Sequence, residues 1–297
     1  MYVVIPLFLY FIGWFVMKVI EVKENQNNKK LDKILFDCFP SLKQNTFFKA
    51  LRKKDIRIND VRVSENVLVH TGDNIKVFIC DELLESSPSF SVVYEDDFIL
   101  VVDKPAQLEV TDSENSLTSL LQKQYSFIKP CHRIDRNTTG LVLFAKTPEA
   151  LDILLAKFKQ KEIEKHYKAT VYGILNKKQE RLIAYLFKDH KKSLVYISDA
   201  PKKGYQKIIT SYQVIAENKK EHTSVLDVNL ETGKTHQIRA HLAHIGFPII
   251  GDGKYGDYEI NKHFSQKTQL LHSSCLIFRF TSPSGILEYL KGKKIEG

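Results

Sequence analysis

Two hydrophobic periods alternate along the chain after residue 30. Leu31, Ile34, Leu35 and Cys38 recur at three- and four-residue spacing, which predicts one face of a short helix ended by Pro40. A second helix is expected with Thr46 as its N-cap and Phe47, Phe48 and Leu51 on its inner face. The period then shortens to that of strands at 56–58 and 61–63. Asn59-Asp60 between them makes a tight hairpin turn, although the preferred Gly is absent. After Gly72-Asp73 a third strand is expected over 75–79. These elements form a module over residues 31–79, near the lower size limit for an independent core.

Residues 80–91 are acidic and rich in Ser and Pro, the composition of a linker. From 92 to 297 the pattern reads as one larger mixed domain. Strands are expected at 92–94, 98–102, 141–145, 165–172 and 224–230. A helix opens at Thr147-Pro148, where Thr caps and Pro suits the first turn; Leu151, Leu154, Leu155 and Phe158 form its buried stripe. No tandem repeat is present.

The first thirty residues divide differently. Residues 21–30 are polar and Asn-rich, again a linker by composition. Met1 to Met17 carry no charge and are almost wholly apolar, just short of a membrane-spanning helix. No basic residue precedes the run, which argues against a cleaved signal peptide. Two readings remain: a membrane attachment with Lys18 on the cytoplasmic side, or a start at Met17 with the upstream residues untranslated. The second is the expectation, and with it a cytoplasmic protein.

Composition adds a partner. Lys and Arg total 44 against 35 Asp and Glu, a formal net charge of +9, which favours a polyanion. The excess is concentrated. Between Lys43 and Arg62 lie seven cations: Lys43, Lys49, Arg52, Lys53, Lys54, Arg57 and Arg62, opposed only by Asp55 and Asp60. Such clustering on a small module reads either as a phosphate-binding face or as a solvated helix surface. The four cysteines, Cys38, Cys80, Cys131 and Cys275, form no CxxC pair and match no zinc spacing; they read as reduced thiols.

Three segments carry candidate chemistry. In His132-Arg133-Ile134-Asp135-Arg136-Asn137-Thr138-Thr139-Gly140, two arginines flank Asp135 and favour its ionised form. It is a candidate nucleophile or base, or one half of an ion-paired turn. In Lys165-His166-Tyr167-Lys168-Ala169, Tyr167 shares a strand face with Ala169 and Val171, as a core residue or an aromatic surface for a nucleobase. The third runs from Thr232 to His244 and contains His236, Arg239, His241 and His244. A helix is expected to begin near Thr235. His236 and His241 are five residues apart and do not share a helix face, so no metal site is expected.

Together these segments resemble the RluA family of RNA pseudouridine synthases. HRIDRNTTG is similar to its catalytic stretch, KHYKATVYG to its tyrosine strand, and TGKTHQIRAHLAHIGFPIIGDGKYG to its third motif, with Lys234 where Arg is commoner. LLHSSCLIF, residues 270–278, resembles a late family segment. Residues 31–63 resemble the alpha-L RNA-binding module, with Asn59-Asp60 replacing its usual Asn-Gly. One departure lies upstream: Lys104-Pro105-Ala106-Gln107 lacks the glycine that usually closes this tetrad.

The resemblance implies an α+β fold with a mixed, mainly antiparallel sheet, preceded by a small α+β RNA-binding domain. It implies isomerisation of uridine within RNA without cofactor or metal, by a protein expected to be monomeric. Asp135 is then the catalytic carboxylate, acting at ribose carbon 1 as nucleophile or at carbon 2 as base. Arg239 pairs with Asp135, and Tyr167 stacks on the uracil and assists its deprotonation. Arg133 fills the space left by the flipped base. Arg136 and the module's Lys49, Arg52, Lys53, Lys54 and Arg57 bind RNA. Large-subunit ribosomal RNA is the expected target, with transfer RNA next. Two other classes compete: a non-catalytic RNA-binding or ribosome-assembly protein, and a glycosidase-type hydrolase. The latter needs a second carboxylate as acid/base, and the motifs assign none.

Overall fold

In the computed structural model the described residues are 17–39, 42–79, 90–111, 113 and 116–297. Backbone contacts divide the chain into two units, residues 1–89 and 90–297.

The first unit begins earlier than its hydrophobic periods suggest. Its elements are β1 (Lys18–Glu21), β2 (Lys29–Lys30), α1 (Leu31–Cys38), α2 (Gln44–Lys53), β3 (Ile56–Ile58), β4 (Val61–Arg62), β5 (Leu68–Val69) and β6 (Asn74–Val77). The sheet order is β1-β6-β3-β4, and β2 pairs with β5. The expected linker at 21–30 is therefore corrected. Glu21 pairs with Asn74, Lys29 with Val69, and Val22 is 1% exposed in the core. The apolar signal there is only a few alternating residues beside an Asn-rich run, too short for composition to register.

The core holds Leu31, Ile34, Leu35, Phe47, Leu51, Ile56 and Ile75. Cys38 is exposed, and Phe48 lies on the outer side of α2. Helix α2 starts before Thr46, with Lys43 at the N-cap, so Thr46 is not the cap. The Asn59-Asp60 turn forms without glycine: both residues take positive φ (48° and 68°), the conformation a two-residue hairpin of this type requires. The Asn59 side chain holds it, donating to Asp73 and accepting from the Asn74 N–H. Pro40, Cys80 and residues 1–16 lie outside the described residues, as does all of the 80–91 linker except Phe90 and Ser91. Among the described residues no helix is long and apolar enough to cross a membrane.

The second unit is built on an eleven-stranded sheet. Its elements are β7 (Ser91–Glu95), β8 (Ile99–Lys104), α3 (Leu117–Leu121), β9 (Lys129–Pro130), β10 (Thr139–Ala145), α4 (Pro148–Lys159), β11 (Ile163–Tyr172), β12 (Gln179–Asp189), β13 (Leu194–Ser198), β14 (Gln206–Asn218), β15 (Thr223–Leu230), α5 (Gln237–His244), α6 (Tyr258–His263), β16 (Leu271–Phe278) and β17 (Lys294–Glu296). The main path runs β13-β12-β14-β15-β11-β16-β10-β8-β7. Among the described residues the pairings are antiparallel except β10 with β16, the mixed, mainly antiparallel sheet expected.

That parallel contact explains Gly140. It pairs with Ser273 at φ +103°, and a Cβ there would lie 2.3 Å from the Ser273 carbonyl oxygen. Only glycine permits this approach, and it sets where the segment after Asp135 enters the sheet. Helix α4 starts as expected, the Thr147 side chain accepting from the Ala150 N–H. Its stripe is corrected: Leu155 is 46% exposed, whereas Lys157 is buried and pairs with Glu162 at 2.7 Å.

Candidate active site

Residues of β11, β15, β16 and α5 and of the turn before β10 line a cleft of about 750 Å³. Its lining includes Arg133, Asp135, Arg136, Tyr167, His236 and Arg239, so all five site residues expected in this unit meet there. Lys49, Arg52, Lys53 and Lys54 are exposed on α2 or just after it, in the first unit. Arg57 is half-buried, its guanidinium 4.9 Å over the Phe78 ring.

Asp135 occupies the turn before β10, whose ends are fixed from both sides. The Thr138 N–H donates to the Asp135 carbonyl, and the Thr138 hydroxyl accepts from Gln269 at 2.6 Å. Below the turn lies Lys104, fully buried at the end of β8. Its ammonium donates to the carbonyls of Pro105, Leu108 and Arg136 at 2.8, 2.8 and 3.0 Å. Burial pushes its pKa down to about 8, against the opposing pull of Asp135 and Asp103. One cation thus ties the segment after β8 to the turn that carries Asp135. Gln107 takes φ +67°, so this position holds a left-handed conformation that glycine adopts freely, without a glycine.

Tyr167 lies in β11, where the strand's alternation buries it with Ala169 and Val171. Burial raises its pKa, and the Asp135 charge adds to the effect. The phenol is therefore neutral at physiological pH, a poor base but a good donor and aromatic surface. His132 is held differently: its Nε2 accepts from the Leu143 N–H at 3.1 Å, and burial pushes its pKa down to about 3.

Helix α5 presents Arg239, only 6% exposed. The loop before it is stapled by Gln237, which donates to Ile209 and Thr210 and accepts from Thr232 and the Lys234 N–H. Arg239 Nη1 donates to Asp135 Oδ2 at 2.8 Å. Its other edge meets a residue that no sequence signal had singled out. Nε and Nη2 donate to Asp252 Oδ2 and Oδ1 at 2.7 and 2.8 Å. Asp252 is 1% exposed and lies within the third motif, beside Gly251 and Gly253 in a run that reads as a turn. The guanidinium also lies 5.3 Å from the centre of the Tyr255 ring.

The three histidines of this segment have separate partners: His236 meets the Tyr255 hydroxyl, His241 the Thr210 hydroxyl and His244 Asp199. The Tyr255 hydroxyl also accepts from the Val195 N–H at 2.9 Å. Burial lowers the His236 pKa, keeping this imidazole neutral.

An ionisable carboxylate held by one hydrogen bond in a cleft with an aromatic floor and flanking arginines is suited to act on a nucleotide drawn out of its stack. The second carboxylate is not the acid of a glycosidase pair, because both of its oxygens are occupied.

A family model described as RNA pseudouridylate synthase matches residues 98–244, and the span contains Asp135, Tyr167 and Arg239. A Mycoplasma pneumoniae RNA pseudouridine synthase is 32% identical over 84% of this chain and 85% of its own length. The chain belongs to the RNA pseudouridine synthase family. Ribosomal large subunit pseudouridine synthase C of Vibrio cholerae is 28% identical, covering 84% of each chain. The human protein RNA pseudouridylate synthase domain containing 1 shares the fold, with a TM-score of 0.57 at 21% identity over 71% of this chain and 90% of that one. This RNA pseudouridine synthase is accordingly an isomerase acting on uridine in RNA. A non-catalytic role for the fold is not favoured.

Proposed function

We propose that this synthase isomerises uridines of large-subunit ribosomal RNA with Asp135 as its catalytic carboxylate. The observation that carries the assignment is the single hydrogen bond from Arg239 to Asp135 in the cleft, which orients the carboxylate while its other oxygen accepts no hydrogen bond from the described residues. Asp135 acts on the ribose of the target uridine and Arg239 holds it in place. Tyr167 supplies the surface on which uracil stacks and turns; its raised pKa favours a neutral phenol over a proton acceptor. Arg133 and Arg136, both exposed at the cleft, contact the RNA around the flipped nucleotide. The protein works as a monomer in the cytoplasm.

The ribosomal target rests on the likeness to the Vibrio cholerae enzyme over most of both chains. Mapping pseudouridines in cellular RNA with and without the gene tests it. Sites lost from large-subunit ribosomal RNA are expected; losses confined to transfer RNA would overturn the target and leave the chemistry intact.

The first unit supplies non-specific affinity through Lys49, Arg52, Lys53 and Lys54, with Arg57 stacked beside them. Replacing Lys49, Lys53 and Lys54 by Gln should weaken RNA binding and flatten its salt dependence. Each lost phosphate contact lowers the slope of log K against log salt by roughly 0.7–0.9. An unchanged slope in a filter-binding series would assign these lysines another purpose.

A further inference from the structure

We propose that the groove beside the active-site cleft is a second nucleotide subsite, where an unpaired base neighbouring the target uridine stacks on Phe187 and lysines hold its phosphates. This rests on the reading of the cleft above, because it assigns the path of the strand that leaves it. Lys188, Lys234 and Thr235 line both the cleft and this groove of about 640 Å³, so the two are continuous. The groove follows the turn between β12 and β13 and the start of β14, where Lys191 and Gln206 line it. Lys188, Lys191 and Lys234 are exposed, and none forms an ion pair among the described residues. Asp189 is the one acid among the described lining residues, and it is engaged in the turn. Its Oδ1 accepts from the N–H groups of Lys191 and Lys192 at 2.9 and 3.0 Å. Such cations along a concave surface draw in a phosphodiester backbone.

The groove also carries an aromatic face. Alternation along β12 buries Ala184 and Leu186 and leaves Phe187 38% exposed. Tyr205 stacks on its ring, with centroids 5.4 Å apart and planes 29° from parallel. Gly204, at φ +82°, comes so close that a Cβ there would lie 3.7 Å from the Phe187 ring. The ring is thus held before any ligand arrives, and ordering it on binding costs little side-chain entropy. An exposed ring alone carries no meaning. This one lies where an enzyme that flips a base needs it. Drawing uridine out of its stack leaves the neighbouring base without a partner, and an aromatic face restores that stacking whatever the base. The subsite therefore selects uridines flanked on this side by unpaired RNA.

The test compares affinities for a single-stranded oligouridylate and for an RNA duplex of equal length, with melting temperatures measured alongside. Phe187→Ala should weaken single-strand binding roughly 10-fold, the loss of one base–aromatic stack, and leave duplex binding within about two-fold. Phe187→Leu keeps apolar bulk without a ring and should lose as much, whereas Phe187→Tyr should bind within about two-fold of wild type. Replacing Lys188 and Lys191 by Gln should lower the slope of log K against log salt by about 0.7 per lost phosphate contact. Phe187→Ala should leave that slope unchanged. Wild-type single-strand affinity in Phe187→Leu would overturn the proposal, as would equal losses on single strand and duplex. Should Phe187→Ala not fold, Phe187→Trp places a reporter in the groove. Quenching by oligouridylate beyond that of the chain's one tryptophan, Trp14, supports the subsite, and its absence overturns it. An Asp135→Asn enzyme that remains active would instead sink the underlying reading of the cleft. An inactive one beside unaffected Phe187 variants would remove the subsite alone.

Discussion

Asp135→Asn is expected to give a folded protein that binds RNA normally and forms no detectable pseudouridine. The substitution keeps the shape of the side chain and removes its charge and nucleophilicity. Loss of a group that acts only in the reaction typically lowers kcat by several orders of magnitude, at least about 4 kcal/mol in barrier height. Stability should hardly change. The Asp135 side chain is part-exposed, and Arg239 keeps its buried partner Asp252 when Asp135 loses its charge. The measurement is conversion at each target uridine by mass spectrometry, beside a thermal melt. Comparable rates in variant and wild type would remove Asp135 from the mechanism. A variant that fails to melt cooperatively would show that Asp135 supports the fold.

Arg239→Ala should damage stability and activity together, with the larger stability effect of the two variants. The arginine compensates Asp252, which is 1% exposed, and truncation leaves that carboxylate in the interior with only backbone donors. Breaking a buried pair in this way costs about 3–5 kcal/mol. The loss should depend on pH, with a sign that can be worked out. In the wild type, burial raises the Asp252 pKa but Arg239 more than offsets this, leaving it below its ordinary 3.8. That contribution is present above pH 3.8 and is lost as pH falls through the folded value. Without Arg239 burial dominates, the folded pKa rises above 3.8, and the variant binds more protons folded than unfolded just above that pH. Its stability then falls as pH rises through that window. Urea denaturation should therefore show a larger deficit relative to wild type at pH 7 than at pH 4. A deficit that is constant or grows on acidification would mean that Asp252 does not depend on Arg239 for its charge.

The difference between these two substitutions marks where sequence reading stopped. Asp135 stood out as a candidate because its surroundings are local: two arginines within two residues, a Thr-Gly bend and an apolar strand after it. Strand alternation left Tyr167 as core residue or aromatic surface, and the family resemblance gave both residues, with Arg239, their expected roles. Helix α4 announced itself by Thr147-Pro148, and α1 by its three- and four-residue spacing. Each of these signals lies within one element.

Asp252 gave no such signal, because its partner is thirteen residues away and its backbone turn reads as glycine-rich loop. Lys104 reads as an ordinary lysine after a strand, and only its burial against three carbonyls shows that it ties two loops together. The first unit's β1 and β2 were hidden for a related reason. Their partners, β6 and β5, lie some forty to fifty-five residues later, and four alternating residues carry too little pattern alone. Residue chemistry and local period by themselves gave a mixed domain, the motifs that carry the family resemblance and Asp135 as a candidate carboxylate. Only the tertiary structure decided how that carboxylate is held, because the groups that hold it are brought together by sheet pairing and loop closure, which leave no periodic trace along the chain.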